Sequence, residues 1–301
     1  MMRKATWLVS IGAMVAVAAG FYLWSYYFSS SVGTPVVEMR YELPRTLRYS
    51  YTLSNQSNRL VKGVDFWVYA PVKQTATQRV ESMTASYPYT MIEDRHGNQI
   101  MHFHFDAVPP YDNKVITIKT QLSLAQERNQ VVSPLEDLHL MDEPFIEVSA
   151  AEIQVKAAAL KREGPMATAQ SIYTWLIRNV KYSGYVRDDH GALYALKHRQ
   201  GDCTEYMNLF SALSRANGIQ ARGVGGYVLK ENAVVKPADY HNWAEFYADD
   251  SWYMVDAQEK VFVERQHEYI AMRIIGEDES SPLNGVHRFR VAGDGIEVVM
   301  N

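Results

Sequence analysis

The sequence predicts an α+β chain in which an all-β module precedes a domain of helices packed on a mainly antiparallel sheet. Two observations carry that reading. Short aromatic-rich or alternating runs, parted by turn-forming groups, fill the region from Val36 to about Gln126. Apolar residues three and four apart begin near Ala151, and strand-like runs return from Ala221 onward. At 301 residues and 47% hydrophobic, the chain holds enough apolar material for about two domains.

Met1-Met2-Arg3-Lys4 precede a nearly unbroken apolar stretch from Ala5 to Phe28, longer than the roughly 20 residues that span a bilayer. Residues 1–35 therefore read as a cytoplasmic tail and a transmembrane anchor. Arg3 and Lys4 are expected to stay in the cytoplasm. The bulk of the chain then lies beyond the inner (cytoplasmic) membrane, on the periplasmic side, with Trp24, Tyr26 and Tyr27 at the outer interface. A cleavable signal peptide is the rival reading, with Ala16-Val17-Ala18 as the cleavage site. Phe21-Tyr22-Leu23-Trp24 continue the apolar run past that site and favour a retained anchor.

Residues 36–126 predict a β-sandwich, with strands around Leu47–Leu53, Val64–Tyr69, Ile100–Phe105 and Val115–Leu122. Ser54-Asn55-Gln56-Ser57-Asn58 and His96-Gly97-Asn98 supply turns. A spacer holding the next domain above the membrane is its plainest role, since a fold does not disclose a function. His102 and His104 share one strand face, but no third residue with metal-ligand spacing accompanies them. No metal or other cofactor is expected. Residues 127–150, with Pro134, Pro144 and the acidic run Glu136, Asp137, Asp142 and Glu143, read as a linker with a solvated face.

Residues 151–301 form the second predicted domain. One helix begins near Ala151. A second follows Gly164-Pro165, with Pro in its first turn and Ile172, Trp175, Leu176 and Val180 toward the core. A third spans about Gly191 to His198. The chain then reaches Gly201-Asp202-Cys203-Thr204-Glu205 and the apolar series Tyr206, Leu209, Phe210, Leu213, closed by Asn217-Gly218. Asp202 is a good N-cap and Gly218 suits the left-handed position past a helix end, so Cys203 should open a helix. A thiol there meets the positive end of the helix dipole and unpaired N–H groups, both of which favour thiolate. A buried apolar cysteine is the plain alternative.

Two downstream strands decide between a nucleophile and a core cysteine. His241–Ala248 and Trp252–Asp256 are aromatic-rich runs parted by Asp249-Asp250-Ser251. With Asp249-Asp250 as a two-residue turn, Ala248 pairs with Ser251 and Asp256 falls opposite Trp243. Alternation puts His241 on the same face as Trp243, so Asp256 is its diagonal neighbour. Cys203, His241 and Asp256 then supply a nucleophile, a base and a carboxylate that fixes the tautomer of the base. Trp243 would shield the His241–Asp256 bond, and Glu245 is a second partner behind it, an outward-facing charge or half of a core ion pair. The backbone N–H of Cys203 is one candidate oxyanion donor; Gln200, Tyr182 and the indole of Trp175 are candidates for a second. Val261-Phe262-Val263 and Ile296–Met300 complete the strands.

These blocks, together with Arg215-Ala216-Asn217-Gly218-Ile219-Gln220-Ala221-Arg222 and Gly226-Tyr227, resemble the transglutaminase-like superfamily of papain-type fold. The resemblance covers roughly the second half of the chain. It implies that Cys203 accepts the acyl group, His241 is the general base and Asp256 orients it. The expected function is a membrane-anchored extracytoplasmic thiol enzyme that attacks amide bonds of a protein or peptide through a Cys203 acyl-thioester, as a cysteine peptidase or amidase. A protein-glutamine transamidase and a non-catalytic envelope binding or assembly module are the alternatives. The single cysteine excludes an internal disulfide. A net charge of −4 with no basic block gives no reason to expect nucleic acid. Oligomeric state is not legible.

Overall fold

A computed structural model describes residues 39–131, 138–185 and 188–301. The expected anchor over Ala5–Phe28 lies outside the described residues. Among the described residues no helix is long and apolar enough to cross a membrane.

The N-terminal part is a two-sheet β-sandwich. Its strands are β1 (Leu43–Asn55), β2 (Val61–Ala70), β3 (Gln78–Ala85), β4 (Thr90–Glu93), β5 (Gln99–Val108) and β6 (Asn113–Leu124). Alternation is visible in burial: in β1, Leu47, Tyr49, Tyr51 and Leu53 point inward and pack with Phe66, Phe103, Ile116 and Ile118. The short β3 and β4 carry few buried apolar positions, which is why hydrophobic pattern alone passes over them.

Four helices come next in the chain, α1 (Ala151–Leu160), α2 (Gly164–Asn179), α3 (Gly191–His198) and α4 (Cys203–Arg215). Strands β7 (Lys181–Tyr182) and β8 (Gln200–Gly201) form a small parallel pair just ahead of α4. The remaining strands are β9 (Ala221–Val228), β10 (Ala233–Val234), β11 (Tyr240–Ala248), β12 (Ser251–Asp256), β13 (Val261–Phe262), β14 (Tyr269–Ile275), β15 (Phe289–Ala292) and β16 (Ile296–Met300). A third, antiparallel sheet runs in the order β13-β12-β11-β9-β14.

Helix α4 lies against this sheet, and every residue from Thr204 to Arg215 is buried. Leu209, Phe210 and Leu213 pack on Ala244, Phe246 and Tyr253. At its end Gly218 takes φ 75°, and the N–H groups of Gly218 and Ile219 reach Arg215 and Ser214 carbonyls. The buried Arg215 guanidinium is held by the carbonyls of Ala221 and Met141 and by Glu143 at 3.4 Å.

The C-terminal strands do not extend the third sheet. β15 pairs with β2, and β16 pairs with β1 beside β10, so residues past 230 complete both sandwich sheets. Ile296 and Met300 bury their side chains in the sandwich core, which also takes in Tyr227, Ile270 and Met272 from the third sheet. Arg40–Asn301 accordingly form one compact unit.

Candidate active site

Helix α4 begins with a complete capping box. The Asp202 carboxylate accepts from Thr204 N–H at 2.8 Å, and Glu205 reaches back to accept from Asp202 N–H at 3.0 Å. The other Glu205 oxygen accepts from His190 N–H at 3.0 Å, which ties the loop before α3 to the same carboxylate. Cys203 is thereby fixed as the first residue of the helix, half-buried, with its N–H among the donors that lack an intrahelical partner.

The hairpin has the expected register. Ala248 pairs with Ser251 and Ala244 with Val255. Asp249 and Asp250 take φ 44° and 55°, a left-handed pair that suits the twist of a two-residue hairpin and that Asp tolerates better than most residues. His241 Nε2 consequently lies 2.6 Å from Asp256 Oδ2, and Asp256 is 2% exposed. With Nε2 engaged, Nδ1 is the nitrogen left for a thiol, and Cys203 is near enough to act on the charge of the ring. Burial favours the neutral imidazole, but the bond to Asp256 and then the influence of Cys203 outweigh it and push the pKa of His241 up to about 10. Trp243 stacks beside the imidazole, ring centroids 6.5 Å apart, and is itself 2% exposed, so it covers this end of the pair from water.

The span that holds these residues has known relatives. Residues 154–257 match the model of the transglutaminase-like superfamily. The chain carries a transglutaminase-like domain. A candidate cysteine protease from Cytophaga hutchinsonii shares the fold, with a TM-score of 0.55 at 16% identity over 86% of this chain and 92% of that one. The periplasmic domain of TgpA from Pseudomonas aeruginosa aligns with a TM-score of 0.41 at 15% identity, covering 76% of this chain and 92% of that one. No curated protein matches the chain.

Two contacts on Asp256, from residues past the matched span, are not legible in the sequence. Tyr269 Oη donates to Asp256 Oδ2 at 3.0 Å, and Glu259 N–H donates to Oδ1 at 3.0 Å. Burial and then the Asp256 carboxylate hold the Tyr269 phenol far above its ordinary pKa, so it remains a donor. Tyr269 is a positioning residue. Its replacement by Phe removes one hydrogen bond of about 1 kcal/mol and should lower kcat/KM several-fold with little change in KM, as steady-state kinetics would register.

The three side chains expected as second oxyanion donors are placed differently. Trp175 is half-buried, with Lys156 Nζ and the Arg199 guanidinium 4.9 and 4.4 Å from its ring. Gln200 Nε2 donates to Tyr194 Oη at 3.1 Å. Tyr182 is exposed, its strand pairing it with Gly201 two residues ahead of the sulfur, and desolvation, then the charge of Cys203, raises its phenol pKa. Glu245 turns out to form a buried ion pair with Arg222, Oε2 to Nη2 2.7 Å, and the same guanidinium covers the Trp252 ring.

In the sandwich, His102 Nε2 and His104 Nδ1 both lie on Asp65 Oδ1, at 2.7 and 2.8 Å. Among the described residues no group of three or more His, Cys, Asp or Glu is placed to hold a metal.

Proposed function

We propose that the chain is a thiol enzyme that cleaves amide bonds of a protein or peptide, with Cys203 as nucleophile, His241 as base and Asp256 as its orienter. The observation that carries this reading is the 2.6 Å contact from His241 Nε2 to a buried Asp256, together with a half-buried Cys203 at a capped helix start. His241 takes the thiol proton, and the sulfur attacks the substrate carbonyl. The negative oxygen that develops meets the N–H of Cys203, and Tyr182, whose strand pairs with Gly201 just ahead of the nucleophile, is the side chain favoured as a second donor. The imidazolium then passes its proton to the leaving nitrogen, the C–N bond breaks, and an acyl-thioester remains. Water, deprotonated by His241, releases the acid and restores the thiol.

Hydrolysis is favoured over transamidation because water needs no dedicated amine site. The apolar segment Ala5–Phe28 supports an anchor in the inner membrane, with this chemistry on the extracytoplasmic side.

The test is an acyl probe that leaves a mass on the attacked thiol. Mass spectrometry should find the adduct on Cys203 in the wild-type chain and none in Cys203→Ala. Equal labelling of the two proteins would sink the enzyme reading.

A further inference from the structure

We propose that the cavity next to Cys203 receives a cationic side chain of the substrate, so that the enzyme selects lysine-like residues beside the amide it attacks. This rests on the reading of Cys203 as the nucleophile. The sulfur opens on a cavity of about 570 Å³, and a second, of about 420 Å³, shares Asp189, Thr204, Asn242 and His287 with it. Both volumes suit a ligand site. A substrate held at Cys203 therefore has a compartment for one neighbouring side chain.

The charge of that compartment is negative on balance. Asp188, Asp189, Asp202 and Glu277 line the two joined cavities against the guanidinium groups of Arg273 and Arg288. Glu143, also in the wall, is already paired with Arg215. Asp189 Oδ2 stands 3.5 Å from His287 Nε2, a separation long enough to leave the carboxylate able to accept a closer donor.

An independent observation names the kind of donor. Asn242 is 7% exposed and lines both cavities. Its Nδ2 donates to Thr204 Oγ1 at 3.0 Å, while its buried Oδ1 has no donor. A buried acceptor without a donor is unusual in a folded protein and points to a missing partner. An ammonium carries three donors and no acceptor, so it can satisfy Asn242 Oδ1 and Asp189 together. An apolar side chain leaves both unanswered, and a carboxylate is repelled.

Three peptidyl acyloxymethyl ketones that differ only in the residue next to the reactive carbonyl test this on the full-length chain. Each loses its carboxylate leaving group as the Cys203 sulfur takes its place, so the rate of thioether formation reads recognition without turnover. The lysine probe should react about tenfold faster than the norleucine probe, with the glutamate probe slowest. Asp189→Asn should bring the lysine-to-norleucine ratio toward one. Equal rates in the wild type, or a preference for norleucine or glutamate, would overturn the inference and leave the thiol chemistry standing. No adduct on Cys203 with any probe would remove both. The wild-type ratio decides even if Asp189→Asn fails to fold.

Discussion

Replacing Asp256 with alanine is expected to lower kcat/KM for amide cleavage by about 10³-fold or more, measured well below the melting temperature of the variant. The carboxylate holds the imidazole through the 2.6 Å bond to Nε2, and it is the group that keeps the proton on a ring that burial would otherwise neutralise. Without it the base is free to turn, and the ring loses its main reason to stay charged. Asp256→Asn should fall between wild type and alanine. Asp256 accepts from three donors: His241 and Tyr269 on Oδ2, and the Glu259 N–H on Oδ1. An amide can offer its one oxygen to His241 and Tyr269 only by turning its NH₂ toward the Glu259 N–H, where two donors then meet. The pH profile separates this from a merely structural loss. In the wild type, activity should fall on the alkaline side as His241 gives up its proton near a pKa of about 10. In both variants burial is left with less to oppose it, so that limb should move to lower pH.

Legibility in the sequence tracks the range of the interactions involved. The His241–Asp256 pair can be reached by counting, because a two-residue turn at Asp249-Asp250 and the two-residue period of a strand fix which side chains share a face. Both ends of α4 can be read for the same reason: Asp202 and Glu205 at its start and Gly218 past its end act on backbone within a few residues of themselves. Tyr269 cannot. It is one of 20 tyrosines, and it meets Asp256 only because the sheet order brings β14 to the far side of β9. Helical period places Trp175 in the core, yet the cations Lys156 and Arg199 gather over its ring, a contact between separate elements that periodicity does not contain. The pairing of β15 and β16 with the sandwich is likewise a matter of chain return, since an alternating strand fits any sheet that leaves an edge open. The same limit hides the cavity beside Cys203, whose walls come from loops and strands far apart in the chain.

Gly201→Ala is expected to cost about 1–3 kcal/mol of stability and to lower kcat/KM by about 10²-fold. The reason is space. A Cβ at Gly201 would stand 2.3 Å from Glu205 Cβ and 2.8 Å from its Cγ, far inside contact distance. Glu205 cannot yield cheaply, because it is 0% exposed and its two oxygens hold the N–H groups of Asp202 and His190. Either the carboxylate is pushed off the capping box or β8 is pushed off the helix, and both displace the first turn of α4, where Cys203 sits. Glu205→Ala is the discriminating partner. It removes the cap, worth about 1 kcal/mol, but leaves the close approach of Gly201 undisturbed. If the role of Gly201 is to let the chain pass close to the helix start, Gly201→Ala must lose more activity than Glu205→Ala at comparable stability, as kcat/KM and thermal melts on the two variants would show. Equal losses would assign the effect to the cap alone and leave the glycine without a part in placing the sulfur.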